Sequence, residues 1–328
     1  MTRPSRRSGE FDLIAQVFAP LARGEPGALG LKDDAAFVHP AAGRDLVVTT
    51  DAIVAGVHFL ADDPPDTIAA KALHVNLSDL AAKGATPRAY LLTAILPAEI
   101  GDEWLQRFAS ALRKSQKRYG ISLIGGDTVS TPGPLALNIV ALGEVPSGKM
   151  LTRAGAKAGD DVWVTGTIGD AALGLRVLEG ASIGDAFDAA VVGRFRVPQP
   201  RLAVGQGLIG LATASVDISD GLISDLGHIV ETSRVAIRVD ASSVPLSNAA
   251  KAAIVTGSCS VSDLLTGGDD YELAFSAPPS AAKRIAALAA KSKTRITKIG
   301  EVRKGKGVSA IDADGRPLPI SRPGYTHF

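Results

Sequence analysis

The 328-residue sequence contains a single cysteine, Cys259. One thiol forms no intrachain disulfide and builds no cysteine-rich zinc site. Aromatic residues make up only 5%, so the cores must be built from alanine, valine, isoleucine and leucine. No apolar run reaches the ~18 residues that a membrane-spanning helix needs. A surplus of one charge sign is also missing: 35 Lys and Arg stand against 34 Asp and Glu. That balance gives no electrostatic case for nucleic-acid binding. The N-terminus, Met1-Thr-Arg-Pro-Ser-Arg-Arg-Ser8, is basic, but Glu10 and Asp12 follow where a signal peptide would turn apolar. A cytoplasmic protein is expected, with neither membrane nor nucleic acid as a partner.

What is present is the balance of a globular chain, 46% hydrophobic and 21% charged. The length calls for two domains. Pro146-Ser147-Gly148-Lys149 breaks the pattern, so the boundary is placed there, giving domains 1–148 and 149–328. The first half reads as a βαβαββ-like unit: strand Leu46–Thr50, helix Asp66–Lys83, strand Tyr90–Leu96, helix Asp102–Tyr119, then strands Ile121–Ile124 and Leu135–Leu142. In the fourth of these, Trp104, Leu105, Phe108 and Leu112 share a face and Gly120 is the stop. The second half restarts with strand Asp161–Thr165 and a helix from Asp170. Strand Ser215–Ile218, helix Gly221–Ser233, strand Val235–Val239, helix Ser280–Ala290 and strand Thr294–Val302 follow.

Two nucleotide-binding patterns fail on inspection. Gly143-Glu-Val-Pro-Ser-Gly-Lys149 spells most of a P-loop, but Met150 stands where the Mg²⁺-binding hydroxyl belongs and no helix follows. Gly205-Gln-Gly-Leu-Ile-Gly210 spells the dinucleotide fingerprint with a helix before it and a strand after it, the reverse of the required order.

The informative feature is a series of aspartates at strand ends and loops. It comprises Asp33-Asp34, Thr49-Thr50-Asp51, Asp79, Gly125-Gly126-Asp127-Thr128, Asp217-Ile-Ser219-Asp220-Gly221 and Gly267-Gly268-Asp269-Asp270-Tyr271-Glu272. A single Asp-Gly pair is usually a turn. Repeated after apolar strands in both halves, the pattern points to a metal–polyphosphate site. Oxygen ligands without a Cys or His cluster select hard Mg²⁺. Asp79 lies three residues after Asn76, which puts both on one helix face, where they interrupt an apolar stripe that includes Ala72 and Val75. The loop Gly166-Thr-Ile-Gly169 before the helix at Asp170 offers backbone N–H groups that suit an anion. Arg153 is a candidate phosphate ligand.

Taken in order, these motifs resemble those of thiamine-monophosphate kinases. That family shares a superfamily with aminoimidazole ribonucleotide synthetase and selenophosphate synthetase. The resemblance runs from Gly9-Glu-Phe-Asp-Leu-Ile14 to Gly324-Tyr-Thr-His-Phe328. It is strongest at Thr49-Thr-Asp-Ala-Ile-Val-Ala-Gly-Val-His-Phe59, Asn76-Leu-Ser-Asp-Leu-Ala-Ala82, Gly125-Gly-Asp-Thr128, Asp217-Ile-Ser-Asp-Gly221 and Gly267-Gly-Asp-Asp-Tyr-Glu-Leu273. It implies an α+β or α/β two-domain fold. The N-terminal sheet would pair across a homodimer into a β-barrel, and a C-terminal α/β domain with a mixed sheet would follow.

The resemblance also implies residue roles. Asp34, Thr49, Thr50, Asp51, Asp79, Asp127, Asp217 and Asp220 would bind several Mg²⁺ ions. Of these, Asp51, Asp79, Asp127 and Asp220 would be catalytic. Gly126, Asp127, Arg153 and Ser219 would contact ATP. His58, Asp269 and Tyr325 would contact thiamine monophosphate. A monovalent cation beside the Mg²⁺ is left open. The chain departs from the family with Lys32 at a usual glycine, Asp269 at a usual glutamate and Lys83 at a usual methionine. The acceptor oxygen belongs to a phosphate monoester whose second pKa is about 6, so the reaction needs no general base. Two other readings stay open at this point: another ATP-using enzyme of the superfamily, and a nucleotide-binding relative without turnover.

Overall fold

In the computed structural model, residues 8–320 and 323–325 are described. The chain forms two compact units, Met1–Leu80 with Thr86–Gly148, and Ala81–Ala85 with Lys149–Phe328. Each carries a mixed sheet with helices.

The first unit opens with helix α1 (Glu10–Leu13) and short helical turns that end at Leu31. Strand β1 (Arg44–Val54), helix α2 (Pro65–Ala82), strand β2 (Thr86–Pro97), helix α3 (Asp102–Tyr119) and strands β3 (Ser122–Thr131) and β4 (Ala136–Pro146) follow. This is the predicted βαβαββ order. The sheet order is β1-β4-β2-β3, with β2 and β3 parallel and the other pairs antiparallel. Helix α3 occupies its predicted span because Leu105, Phe108 and Leu112 are buried along one face. Gly120, with φ 67°, ends it by returning its N–H to the Gln116 carbonyl. Helix α2 is buried nearly all round and is tied to α3 by a 2.9 Å hydrogen bond between His74 Nε2 and Ser115 Oγ.

In the second unit the elements run β5 (Asp161–Thr165), α4 (Asp170–Leu178), α5 (Asp185–Arg196), α6 (Leu202–Leu208), β6 (Ala214–Asp217), α7 (Leu222–Ser233) and β7 (Ala236–Asp240). They continue with α8 (Asn248–Val255), α9 (Val261–Thr266), β8 (Leu273–Ala277), α10 (Ala282–Ser292), β9 (Ile296–Arg303) and β10 (Val308–Ile311). The sheet order is β10-β7-β9-β5-β8-β6. Every residue of β8, an inner strand, and of β6, at the sheet edge, is buried. Strand β8 has no counterpart in the sequence reading, because Leu-Ala-Phe-Ser-Ala lacks β-branched residues.

Both rejected nucleotide patterns have structural explanations. Gly205 and Gly207 allow close helix contact: an added Cβ would lie 1.9 Å from the Ala81 carbonyl at Gly205 and 2.3 Å from Leu288 at Gly207. In the P-loop-like segment, the Asp45 carboxylate already accepts the Ser147 hydroxyl and, at 2.7 Å, the Gly148 N–H. Among the described residues, no helix is long and apolar enough to cross a membrane.

Candidate active site

Two of the expected strand-end motifs lie inside strands. Thr49-Thr50-Asp51 sits within β1 and Gly125-Gly126-Asp127-Thr128 within β3, because pairing with β4 and β2 carries both ladders onward. Side chains therefore alternate between faces. Thr49 and Asp51 meet α2: the Thr49 hydroxyl donates to Asp79 Oδ2, and the Asp51 N–H donates to Asn76 Oδ1 at 3.1 Å. Asn76 is fully buried, and its Nδ2 donates to the Ala72 carbonyl at 3.0 Å. The predicted Asn76–Asp79 pair thus forms one polar patch with β1. Thr50 falls on the other face, where its hydroxyl donates to the Ile139 carbonyl and to Asn138 Oδ1.

Asp34, Gly126 and Asp127 line one cavity of about 730 Å³ in the first unit. Its walls are largely apolar, with Phe18, Leu91 and Val140 among them. Among the described residues its ionisable lining is Glu10, Asp33, Asp34 and Asp127, all of them acids. Carboxylate and hydroxyl oxygens of this kind suit a hard cation such as Mg²⁺. Lys32 adopts φ −117°, so the family's glycine position makes no left-handed demand here. The positive φ angles fall instead on Leu29, Gly30 and Leu31.

His58 sits on a turn after β1, closed by a bridge between Ala55 and Phe59. Its Nδ1 accepts the Val54 N–H at 3.1 Å, which places the hydrogen of the neutral ring on Nε2. The buried Lys71 donates to the His58 carbonyl at 2.7 Å.

The second unit gathers Asp217, Ser219, Asp220, Asp269 and Tyr325. The N–H groups of Asp269 and Tyr271 donate to the carbonyls of Ser219 and Ile218, both at 2.8 Å. The Tyr325 N–H donates to the Asp220 carbonyl at 3.0 Å. Asp269 has φ 69°, a conformation that aspartate tolerates better than most residues. The C-terminal part of the expected family motif, residues 326–328, lies outside the described residues. Arg153 is exposed, and its carbonyl accepts from Ser233 Oγ at 3.1 Å. Burial first, and then the Arg153 charge, lowers the pKa of His228.

One expectation is overturned. Two of the N–H groups at the start of α4 are already taken by an internal carboxyl group: Asp270 accepts from Gly169 at 2.7 Å and from Ala171 at 3.3 Å. The start of α7 is filled likewise, with Asp225 Oδ2 accepting from Ser219, Asp220 and Gly221 at 3.0 to 3.2 Å. The sequence reading named Asp270 only as part of the Gly267–Glu272 motif and missed Asp225. His228 was missed too, although it lies one turn beyond Asp225 and carries a ligand atom within 4.8 Å of those of Asp220 and Asp225. Acidic residues in a helix's first turn were the available signal for Asp225.

Burial pushes the Asp225 carboxyl up to about 7 and the Asp270 carboxyl up to about 8. For Asp270 the folded state holds the proton more tightly than the unfolded chain does. Its contribution to stability is therefore complete below about pH 4 and is lost as pH rises towards about 8. The thermal midpoint of the wild type is expected to fall more steeply between pH 4 and pH 8 than that of Asp270→Asn, measured by calorimetry across that range. Parallel curves would remove Asp270 as the titrating group.

Family models for the N-terminal and C-terminal domains of AIR synthase related proteins match residues 32–145 and 157–313. The thiamine-monophosphate kinase of Caulobacter vibrioides is 43% identical over 324 residues, 97% of this chain and 90% of that protein. The solved thiamine-monophosphate kinase of Stenotrophomonas maltophilia superposes with a TM-score of 0.83 at 38% identity, covering 94% of this chain and 98% of its own. A solved complex of AaThiL with AMPPCP and TMP superposes with a TM-score of 0.77 at 31% identity, covering 98% and 97%. The chain belongs to the AIR synthase related protein family and, within it, to the thiamine-monophosphate kinases.

Proposed function

We propose that this protein transfers the γ-phosphoryl group of ATP to thiamine monophosphate, producing thiamine diphosphate and ADP. The observation that carries the reading is the likeness, over nearly the whole chain, to thiamine-monophosphate kinases, among them AaThiL complexed with AMPPCP and TMP. The acidic cavity supports it, because an anion attacking an anion demands cations.

In the first unit Asp34, Thr49, Thr50, Asp51, Asp79 and Asp127 would hold Mg²⁺, and in the second Asp217 and Asp220 would do so. When bound, Mg²⁺ supplies charge neutralisation and in-line alignment of the phosphates. Gly126 would let the nucleotide approach the backbone of β3, with Asp127, Arg153 and Ser219 as further ATP contacts. His58 would offer its Nε2 hydrogen to thiamine monophosphate, with Asp269 and Tyr325 as the other acceptor contacts. An aromatic face at Tyr325 suits a cationic thiazolium. With those N–H groups at the starts of α4 and α7 occupied, phosphate charge falls to cations and to Arg153.

The protein would work in the cytoplasm as a homodimer, residues 1–148 supplying the dimer surface and 149–328 completing the ATP and substrate contacts. Leu46 and Val48 support that surface, being 37% and 59% exposed on the face of β1 that turns away from α2. Purified protein given ATP and thiamine monophosphate is expected to form ADP and thiamine diphosphate in equal yield, and only with Mg²⁺. The same assay in sodium and in potassium salts decides the monovalent requirement. ADP formation without thiamine diphosphate would reject the acceptor.

A further inference from the structure

The loop Gly267–Glu272 holds two non-glycine residues in the left-handed region, Asp269 at φ 69° and Tyr271 at φ 49°. For a bulky tyrosine that conformation is costly, and it persists only where the surroundings over-determine it. Beyond the two backbone hydrogen bonds to Ser219 and Ile218, Gly268 is pressed against the same segment. A Cβ there would stand 2.5 Å from the Ser219 carbonyl oxygen.

The loop ends on Glu272, which is fully buried. Its carboxylate accepts the Thr165 hydroxyl at 2.6 Å, Arg194 Nη2 at 2.8 Å, and Arg201 through Nε at 2.6 Å and through Nη2. Arg194 Nη2 also donates to the Asp270 carbonyl at 3.2 Å. Gly166 closes the remaining side, since an added Cβ would lie 2.1 Å from Oε1. The carboxylate has no room to turn. Charge compensation needs one arginine; two, from α5 and from the residue before α6, fix its orientation as well.

We propose that Glu272, gripped by Arg194 and Arg201, is a positioning residue that locks this loop in the strained backbone presenting Asp269 to thiamine monophosphate. The proposal rests on the kinase reading above. Arg201 grips harder: it binds through two nitrogens, whereas Arg194 keeps Nε buried without a hydrogen-bond partner among the described residues.

The test is Arg201→Lys, which keeps the charge and loses the fork. Binding of thiamine monophosphate and of a non-hydrolysable ATP analogue is measured by calorimetry, beside kcat, both KM values and the thermal midpoint. The dissociation constant and KM for thiamine monophosphate are expected to rise about tenfold, the size of effect a small misplacement of a binding group produces. Affinity for the ATP analogue and kcat should change by no more than about twofold. Arg194→Lys is expected to act in the same direction by about threefold, in line with its single grip. Unchanged thiamine monophosphate affinity in folded Arg201→Lys overturns the clamp. Equal weakening of both ligands also overturns it, because that reports general loosening. A wild-type protein that fails to bind thiamine monophosphate sinks the kinase reading and the clamp together. Wild-type binding with an unaltered variant sinks the clamp alone.

Discussion

Replacing Asp79 by alanine is expected to lower kcat about 10³-fold while the protein stays folded, equivalent to about 4 kcal/mol of lost transition-state stabilisation. The size follows from what the side chain does. Asp79 sits on a helix that is buried nearly all round, and its carboxylate faces Thr49 on β1. The hydrogen bond from Thr49 is worth only about 1 kcal/mol to the fold. That gain is small for a carboxyl group on a mostly buried helix, and holding a cation against the transferring phosphate is the use proposed above.

Three variants separate these contributions. Asp79→Asn keeps an acceptor for the Thr49 hydroxyl and loses the charge, so it should resemble Asp79→Ala in kcat. Thr49→Ala loses the hydroxyl and keeps the charge, and a fall of no more than about tenfold is expected, one hydrogen bond's worth. Asp51→Ala should match Asp79→Ala, since Asp51 lies two residues beyond Thr49 on the same face of β1. Steady-state kinetics at several Mg²⁺ concentrations, with thermal melts as the folding control, make the comparison. Near-wild-type turnover in folded Asp79→Asn would remove Asp79 from the cation site.

How far the sequence spoke for itself differs from element to element. Helix α3 was readable at both ends, because its apolar period is strong and Gly120 stops it locally. The ends of β1 and β3 were not. Thr-Thr-Asp and Gly-Gly-Asp look like turn formers, yet the ladders run through them because Ala141 and Ile139 pair with Thr49 and Asp51, and Leu92 and Thr93 with Gly126 and Asp127. Pairing across the sheet is nonlocal and leaves no mark on the strand itself.

The same limit explains the anion site expected at α4. The sequence shows that a helix starts at Asp170. It cannot show that Asp270, 101 positions from Gly169, has already filled that start. Glu272 and Arg194 are 78 positions apart and belong to the same class. The ordered aspartate motifs, by contrast, were legible at once, because a run of carboxylates beside glycines has few uses other than turns and cations.

Gly126→Ala is the second variant expected to fail badly, and its neighbour provides the control. At Gly126, with φ 155°, an added Cβ would lie 1.9 Å from the Leu92 carbonyl oxygen and 2.7 Å from its carbon. Both atoms are backbone in the paired strand β2, so the methyl enters only if β2 and β3 separate. At Gly125 the Cβ would meet only Leu91 Cδ2, at 3.0 Å, the end of a side chain that can rotate. The two substitutions add the same methyl group to consecutive residues of one strand. Overpacking of this kind costs about 1–3 kcal/mol where side chains can adjust and more where backbone must move. Gly126→Ala should therefore lower the thermal midpoint by about 6 °C or more, against about 2 °C for Gly125→Ala. Because Gly126 borders Asp127 in the acidic cavity, KM for ATP should also rise at least about tenfold in Gly126→Ala and stay within about twofold in Gly125→Ala. A Gly126→Ala protein with wild-type KM for ATP would mean that the nucleotide does not approach β3 at this point, and the ATP contacts would then have to be sought on other strands.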